Sequence, residues 1–548
     1  MRRALGVLAL ALVLVLPGSA DAARFAVGLA PGADRAEVME AVGVRSGGRV
    51  EPLAPFAVAL EAPSSAGVAR LPGVAYVERL GSRGRLLSFA PSDPFAARQW
   101  HLSAVNAFDA WPQRPSLPGM RIAVIDSGID AGHPEFAGRI ALARSFVGGS
   151  ARRDQHGHGT FIAGLIAASL SNGEGISGMA FPAQLLVAKV VRSDGVVPLE
   201  AEARAIRWAV DRGATVINLS LGGVRDPGDP ARDSFSPLEA SAVEYAVRKG
   251  VVVVAAVGNG DQAPEQPWRY ASYPAALPHV LGVSAFAKDG TVPAFSNRDP
   301  QYNDLAAPGD ELLSTLPRAL TALRPTCEEQ GYSDCGPPEY RRPQGTSFAA
   351  AIASAGAVLV RGAWPELRRE QIVGLMQRSA RDMTQETGCR RCTVGRDPSS
   401  GWGRLDVAAA VDAPSSRIPA IDRYEPNDDA RARAVPVRGP MKLGAKLRAS
   451  LDYWDDQDDV YAIRLRKNGR LAATLDGKAE VDMNLFLWRP ETRQIKDARS
   501  LSAAVAQSRG PDAFEVVKFR APRAGVYYLH VKMSEPGAAR YVLRVVRR

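Results

Sequence analysis

Between about residues 93 and 410 the chain alternates two kinds of segment, and this alternation limits the fold more than any other feature. Ile122 to Ile125, Leu185 to Val191, Thr215 to Leu219, Val251 to Val257 and Val280 to Ser284 are short apolar runs rich in β-branched residues. Between them, Ala163 to Leu170, Leu199 to Asp211 and Pro237 to Arg248 carry apolar residues at helical spacing. Runs apolar throughout mark strands buried on both faces, and parallel strands need helical crossovers to connect them. The expectation is an α/β region: a mostly parallel sheet with helices on both faces.

The pattern stops on either side. A chain of 548 residues carries a prior of three to four domains at roughly 150 residues each. Residues 24 to 80 read as a small βαββαβ unit: Arg24 to Leu29 as a strand, Ala33 to Val42 as a helix with Asp34 near its start, Arg49 to Glu61 alternating around Pro55, and Val74 to Glu78 as a closing strand. Gly81 to Pro94 reads as an exposed connector, and Val411 to Ser416 as a short linker. Residues 420 to 548 carry short alternating runs, such as Val460 to Leu465 and Val526 to Val531, broken by Gly, Pro and Asp, which predicts an all-β sandwich.

Arg2 and Arg3, the apolar run Ala4 to Leu16, the breaker Pro17-Gly18 and Ala20-x-Ala22 have the form of an export signal over residues 1–22. The apolar run spans only about 20 Å as a helix, short of the roughly 30 Å hydrocarbon core, and no later stretch supplies the apolar length of a stable membrane span. Hydrophobic residues make up 46% and charged residues 23%, which excludes a largely disordered chain. The net charge of +10 comes from scattered arginines without a run of like charge, so no nucleic-acid partner is expected. In an oxidising compartment, extracellular or periplasmic, Cys327 is expected to pair with Cys335 and Cys389 with Cys392. The competing reading is a four-thiolate zinc site, since Cys389-Arg390-Arg391-Cys392 has ligand spacing.

Three motifs in the α/β region carry chemistry. Asp126 ends the run Ile122 to Ile125, where open sheets present functional groups; His158 stands in Gly157-His158-Gly159-Thr160; Ser347 follows Gly345-Thr346 and opens a helix of small residues. Singly, each has a structural explanation, as turn residue or helix cap. Together they supply what a serine nucleophile needs: an adjacent base, and a carboxylate to orient that base. Asn259, in Val257-Gly258-Asn259-Gly260, adds an amide donor for an oxyanion.

These motifs, with Val216-Ile217-Asn218-Leu219-Ser220-Leu221-Gly222-Gly223 and Gly401-Trp402-Gly403-Arg404-Leu405-Asp406-Val407, make the chain similar to subtilisin-family serine peptidases. The resemblance implies a secreted, self-processing endopeptidase acting on protein or peptide substrates through an acyl-enzyme. Asp126 would orient, His158 act as base then acid, Ser347 attack and Asn259 stabilise the oxyanion, while Ser220, Leu221 and Gly222 would pair with extended substrate. No cofactor is implied for the chemistry. A structural calcium is possible, since Glu135 and Ser171 to Gly175 lie where relatives hold one.

Phe161 stands where many members have a second histidine, Ala351 where proline usually follows the nucleophile, and uncharged Gly260 favours apolar or undiscriminating specificity. Residues 23–90 resemble the inhibitory propeptide, 91–412 the catalytic domain, and 420–548 a pre-peptidase C-terminal domain, from Tyr424-Glu425-Pro426-Asn427-Asp428 onward. Self-cleavage is expected between about Leu80 and Phe95. Asp455, Asp456, Asp458 and Asp459 read as a solvated acidic loop, with calcium binding as the alternative. A monomer is expected. A dedicated processing peptidase and a non-catalytic relative binding protein or glycan through its last domain are the alternative functions.

Overall fold

The computed structural model describes all residues except 1–22, 81–90, 112–118, 262, 323–330, 342, 419–421, 426, 432–433, 438–444, 454–455, 478–480, 493–494, 496–503, 512, 535–536 and 548. The export signal, most of the self-cleavage window, Cys327, Pro426 and Asp455 therefore lie outside the described residues. The chain divides into two compact units, residues 1–88 and residues 89–548.

The first unit is an antiparallel sheet of β1 (Ala23–Leu29), β2 (Arg49–Ala54), β3 (Ala57–Ala62) and β4 (Val74–Arg79) in the order β2-β3-β1-β4. Helix α1 (Arg35–Ser46) begins where the Asp34 carboxylate accepts the backbone N–H groups of Ala36 and Glu37, and ends at Gly47 with φ 65°. Val38 and Val42, one turn apart, pack it onto Val27, Val58 and Leu60. The second helix expected here is only a 3₁₀ turn, Val68–Arg70. Gly67 precedes it at φ 80° and Pro72 holds Leu71 in an extended conformation, which leaves no length for an α-helix.

The second unit opens on seven parallel strands: β5 (Arg121–Asp126), β6 (Ile140–Ser145), β7 (Gln184–Lys189), β8 (Val216–Leu219), β9 (Val252–Ala256), β10 (Val280–Phe286) and β11 (Leu305–Pro308). Their order is β11-β10-β9-β8-β5-β7-β6. Successive side chains point to opposite faces, so each strand feeds two cores. Ile122, Val124, Val252 and Val254 meet α2 (His158–Ala167) and α5 (Thr346–Ala363) on one side. Ala123, Ile125, Val253 and Ala255 meet α3 (Leu199–Asp211) and α4 (Pro237–Arg248) on the other.

The two strands the periodicity does not reveal, β6 and β11, are the sheet edges. The first is only half-buried, and the second is Leu-Ala-Ala-Pro, poor in β-branched residues. Helix α5 is apolar and long enough to cross a membrane by length and composition, which the search for uninterrupted apolar runs misses; 78% of it is buried in this core. Cys389 and Cys392 form a disulfide packed near Phe286 and Met383, so these thiols are not zinc ligands. Cys335 is disulfide-bonded as well.

The C-terminal strands are β12 (Val435–Pro436), β13 (Ala445–Asp452), β14 (Asp458–Leu465), β15 (Arg470–Asp476), β16 (Met483–Trp488), β17 (Ala504–Ser508), β18 (Phe514–Arg520), β19 (Gly525–Met533) and β20 (Ala538–Arg547). They form two sheets, β12-β14-β19-β16-β17 and β13-β20-β15-β18, over a core that includes Tyr461, Leu485, Leu529 and Leu543. This sandwich belongs to the same compact unit as the parallel sheet. Buried ion pairs join the two, between His279 and Asp428 at 2.7 Å and between Arg378 and Asp452, and Trp402 meets Tyr453 edge to face. The run expected to be a solvated acidic loop is buried at Asp456, Asp458 and Asp459, because it enters β14 and packs beneath neighbouring strands.

Candidate active site

The strand order reverses around β5, whose neighbours are β8 and β7, and the C-terminal ends of β5, β8 and β9 converge there. Asp126 is the last residue of β5 and is buried. His158 is the first residue of α2, after Gly157 at φ 90°. Its Nδ1 lies 2.9 Å from both Asp126 oxygens. Because those oxygens only accept, Nδ1 carries the proton and Nε2 of the neutral ring faces away as a base. Burial works to lower the imidazole pKa, but the Asp126 charge, its hydrogen bond and the Asp154 charge outweigh it and hold the pKa above the ordinary value.

Asp154 is the residue sequence reasoning passed over. Its Oδ1 accepts from Ser127 Oγ at 2.8 Å and from the N–H groups of His156 and Gly157; its Oδ2 accepts from the N–H and Oγ1 of Thr160. One buried carboxylate thus fixes the loop that delivers His158. Ser127 Oγ in turn accepts from Gly159 N–H at 2.9 Å. A Cβ on Gly159 would stand 2.2 Å from the Gly128 carbonyl oxygen, so only glycine lets α2 approach β5 this closely. The sequence signal for Asp154 is its place four residues before the histidine, but an aspartate in a polar loop is too common to stand out.

Ser347 is the second residue of α5, half-buried, and α5 also brings Phe348 to 5.9 Å from the His158 ring. Its Oγ donates to the Ser220 carbonyl at 3.1 Å, while Ser220 Oγ donates to the Ser347 carbonyl at 2.7 Å. No hydrogen bond joins Ser347 Oγ to His158 among the described residues; such bonds commonly tighten only when substrate binds. Asn259 Oδ1 accepts from Thr346 N–H and Oγ1, both at 2.9 Å. With its oxygen committed, the Asn259 amide presents its N–H groups as donors.

Leu221 and Gly222 line a cleft of about 190 Å³ that also touches Gly223, Asn259, Thr346 and Ser347. Gly223 pairs with Tyr273 in an antiparallel bridge. A Cβ on Gly222 would meet the Tyr273 carbonyl oxygen at 2.1 Å. Phe161 packs on Phe348 at 4.5 Å, an apolar contact in place of a second imidazole. Ala351 is buried within α5, which runs unbroken for 18 residues.

In the loop where a structural calcium is possible, the carboxylates are engaged by donors of the chain itself. Glu135 Oε1 accepts from Ile176 N–H at 2.8 Å and Tyr332 Oη at 3.1 Å, and Oε2 accepts from the Asn172 amide. Asp93 accepts from Ser171 N–H, Asn172 N–H and Ser177 Oγ. Carboxylate lone pairs engaged by N–H and O–H donors are not aimed at a metal. Burial, with the Asp93 charge adding to it, raises the Glu135 pKa to about 7.

The sandwich offers a different arrangement. Asp422, Glu425 and Asp459, and likewise Glu425, Asp428 and Asp456, bring one oxygen each within 4.8 Å of one another. Glu425 Oε1 and Asn427 Oδ1 are buried there without hydrogen-bond partners. Crowded carboxylate and carbonyl oxygens of this kind suit a hard cation such as calcium. Asp458 is engaged elsewhere, with His530 at 2.9 Å and Lys532 at 3.1 Å.

Both the parallel-sheet region and the sandwich resemble known proteins. Residues 118–403 match the subtilase family, and residues 457–532 match the bacterial pre-peptidase C-terminal domain. Thermitase of Thermoactinomyces vulgaris is 36% identical over 237 residues, 43% of this chain and 78% of that protein. The major intracellular serine protease of Bacillus subtilis (strain 168) is 34% identical over 269 residues, covering 47% of this chain and 74% of its own. The cell wall-associated protease of the same strain is 32% identical over 342 residues, 59% of this chain and 33% of that protein. The chain belongs to the subtilase family and is a subtilisin-like serine endopeptidase.

Proposed function

We propose that this chain is an exported endopeptidase that processes itself and cleaves peptide bonds with Asp126, His158, Ser347 and Asn259. The observation that carries the reading is the two-oxygen clasp of Asp126 on His158 Nδ1, beside the helix whose second residue is Ser347. Substrate lies extended along Ser220, Leu221 and Gly222, adding a strand to their free edge. His158 Nε2 takes the Ser347 hydroxyl proton as Oγ bonds to the scissile carbonyl carbon. The oxyanion that forms accepts from the Asn259 amide and from Ser347 N–H, which lies in the first turn of α5 and has no intrahelical acceptor. His158 then returns the proton to the leaving amine, and water, activated by the same imidazole, hydrolyses the acyl-enzyme.

Residues 1–22 act in this reading as the export signal, 23–90 as an intramolecular inhibitor, 91–412 as the catalytic domain and 420–548 as the pre-peptidase C-terminal domain. A large parallel sheet depends on non-local pairing and folds slowly, which gives a small preformed unit a use as template. Calcium fits the sandwich carboxylates Asp422, Glu425, Asp428, Asp456 and Asp459, where it would neutralise crowded charge; it takes no part in the chemistry.

Ser347→Ala tests the assignment. The purified variant is expected to lose cleavage of a peptide library by about 10⁶-fold, the size of effect known for subtilisin's own nucleophile. It should also stay unprocessed between about Leu80 and Phe95 and resist labelling by a serine-reactive phosphonate. An alanine variant that still matures in purified form would assign processing to another protease.

A further inference from the structure

A second cleft, of about 350 Å³, opens at Gln266, whose Nε2 donates to the Asn259 carbonyl at 3.0 Å. Pro267, Val292 and Ala294 give it apolar walls, and Arg298, Arg390 and Arg391 give it charge. No carboxylate is among its described lining residues.

The sequence sets two of these cations side by side. Arg390 and Arg391 are the middle residues of Cys389-Arg390-Arg391-Cys392, a turn that is closed twice. Cys392 N–H donates to the Cys389 carbonyl at 3.2 Å, and the two cysteines form a disulfide. Both cysteines are buried in a cluster with Phe286 and Met383, which anchors the base of the turn. Both arginines are exposed, and neither makes a hydrogen bond or ion pair among the described residues. A ligand that engages them has no loop to order first.

Arg298 is the third cation, and the chain itself holds it. Its Nη2 donates to the Val292 and Pro293 carbonyls at 3.2 Å each, and its Nη1 is enclosed. Arg298 therefore supplies the cleft with charge and not with a hydrogen bond; the donors that reach a ligand are those of Arg390 and Arg391. Burial, and after it the charge of Arg391, lowers the Arg298 pKa to about 10. The guanidiniums thus repel one another beside apolar walls, where charge is weakly screened. Two acids lie nearby, and both are engaged. Asp397, whose charge partly offsets that of Arg391, accepts from Ser399 N–H and from Ser400 N–H and Oγ. Asp289 accepts from Thr291 N–H and Oγ1.

Charge and shape name the ligand. One arginine fork satisfies a single carboxylate, which would leave the other charges unbalanced. A phosphate group carries about −1.5 to −2 at pH 7 and three acceptor oxygens, enough for both exposed forks at once. The cleft is also roughly tenfold larger than the ~30 Å³ a water takes in the liquid, so it admits the group with a carrier attached. We infer that Arg298 and the disulfide-closed turn Arg390-Arg391 form a binding site for a phosphate group, free or as a monoester, separate from the reacting cleft.

Isothermal titration calorimetry with inorganic phosphate tests this, on purified protein whose serine is blocked with the phosphonate, in calcium-free buffer at neutral pH. Saturable binding of one phosphate is expected. Arg390→Gln combined with Arg391→Gln is expected to raise Kd at least about tenfold, since it removes both charge-assisted forks. Both side chains are exposed and unbonded, so the unfolding midpoint of this variant should match that of the wild type. Cys389→Ser with Cys392→Ser keeps the arginines but opens the disulfide, and a smaller rise in Kd is expected; where that variant does not fold, the arginine pair decides alone. Glycerol phosphate gives the source of the group: tighter binding assigns a monoester, equal or weaker binding the free ion, and both support the site. Acetate at matched ionic strength is expected to bind at least about tenfold more weakly than phosphate, having one charge and a single fork's worth of acceptors. Acetate as tight as phosphate overturns the ligand class. Heat no greater than in matched chloride, or an unchanged Kd in the arginine variant, overturns the site.

Discussion

Two regions of the second unit bury carboxylates, and they do so in opposite ways. Beside the sheet, Asp126 and Asp154 are surrounded by donors: an imidazole N–H and a backbone N–H for the first, two hydroxyls and three backbone N–H groups for the second. In the sandwich, Glu425 and Asp459 are pushed well above the usual carboxylate range, by burial first and then by the charges of neighbouring acids. The first region spends its polar groups holding one imidazole in a fixed tautomer. The second gathers negative charge that only a cation or protons can relieve. Burying an acid therefore fixes no role by itself; the balance of donors to neighbouring acids does.

The sharpest way to break this contrast is to remove one charge from the well-satisfied region. Asp126→Asn keeps the shape but can present an N–H to Nδ1, which favours the wrong imidazole tautomer. A loss of about 10⁴ in kcat is expected, as for the equivalent change in a chymotrypsin-type triad. The pH profile adds a signature. His158 must be neutral to act as base, so wild-type kcat/KM falls as pH drops through an imidazole pKa held above the usual value. In the variant burial is opposed by the Asp154 charge alone, without that of Asp126, and this acid limb should move down. A limb left in place would show that another group sets it.

Much of this site was legible in the sequence because its parts have few alternatives. An aspartate ending an apolar run, a histidine between glycines and a serine opening a helix of small residues each keep close company with glycine for a steric reason, visible at Gly159. The edge strands were not legible: β6 is half-exposed and β11 is short and poor in β-branched residues. Nor was the role of Asp154, whose bonds reach both the sequence before β6 and the first turn of α2. The acidic run at Asp456 to Asp459 misled for a related reason. Charge in a sequence reads as solvent exposure unless a partner is visible, and here the partners Asn427, His530 and Tyr541 lie 32 to 82 residues away.

A middle case sharpens the comparison. Glu135 has donors on both oxygens, yet burial still raises its pKa to about 7 from 4.5. The folded state thus holds a proton that the unfolded state releases. The stability this provides is fully present below about pH 4.5 and is lost as pH rises through about 7. Glu135→Gln should flatten the unfolding free energy across that window by up to about 3 kcal/mol. Part of the remaining slope belongs to Glu202 and Glu239, a buried pair raised by burial, with Glu239 also near 7, and part to Glu425 and Asp459 in the sandwich. Chemical denaturation of both proteins between pH 4.5 and 7.5 measures this, and parallel curves would remove Glu135 from the account.

The smallest expected effect tests the other side of the contrast. If the sandwich acids await a cation, calcium must stabilise the folded chain by RT ln(1 + [Ca²⁺]/Kd), about 2.7 kcal/mol at a hundred times Kd. A rise in unfolding midpoint is expected on adding calcium to chelator-treated protein. Glu425→Gln should abolish that rise, because Glu425 belongs to both carboxylate groups. The variant discriminates between locations: a calcium held at Glu135 and the loop after α2 would still stabilise it, whereas one held in the sandwich would not. Peptide hydrolysis well below the midpoint should be the same with calcium and with chelator, since Asp126, His158 and Ser347, the residues proposed to carry the reaction, make no contact with this cluster among the described hydrogen bonds and ion pairs. A midpoint indifferent to calcium in the wild-type protein would mean that protons alone relieve the crowded charge, and the sandwich should then lose stability as the pH rises.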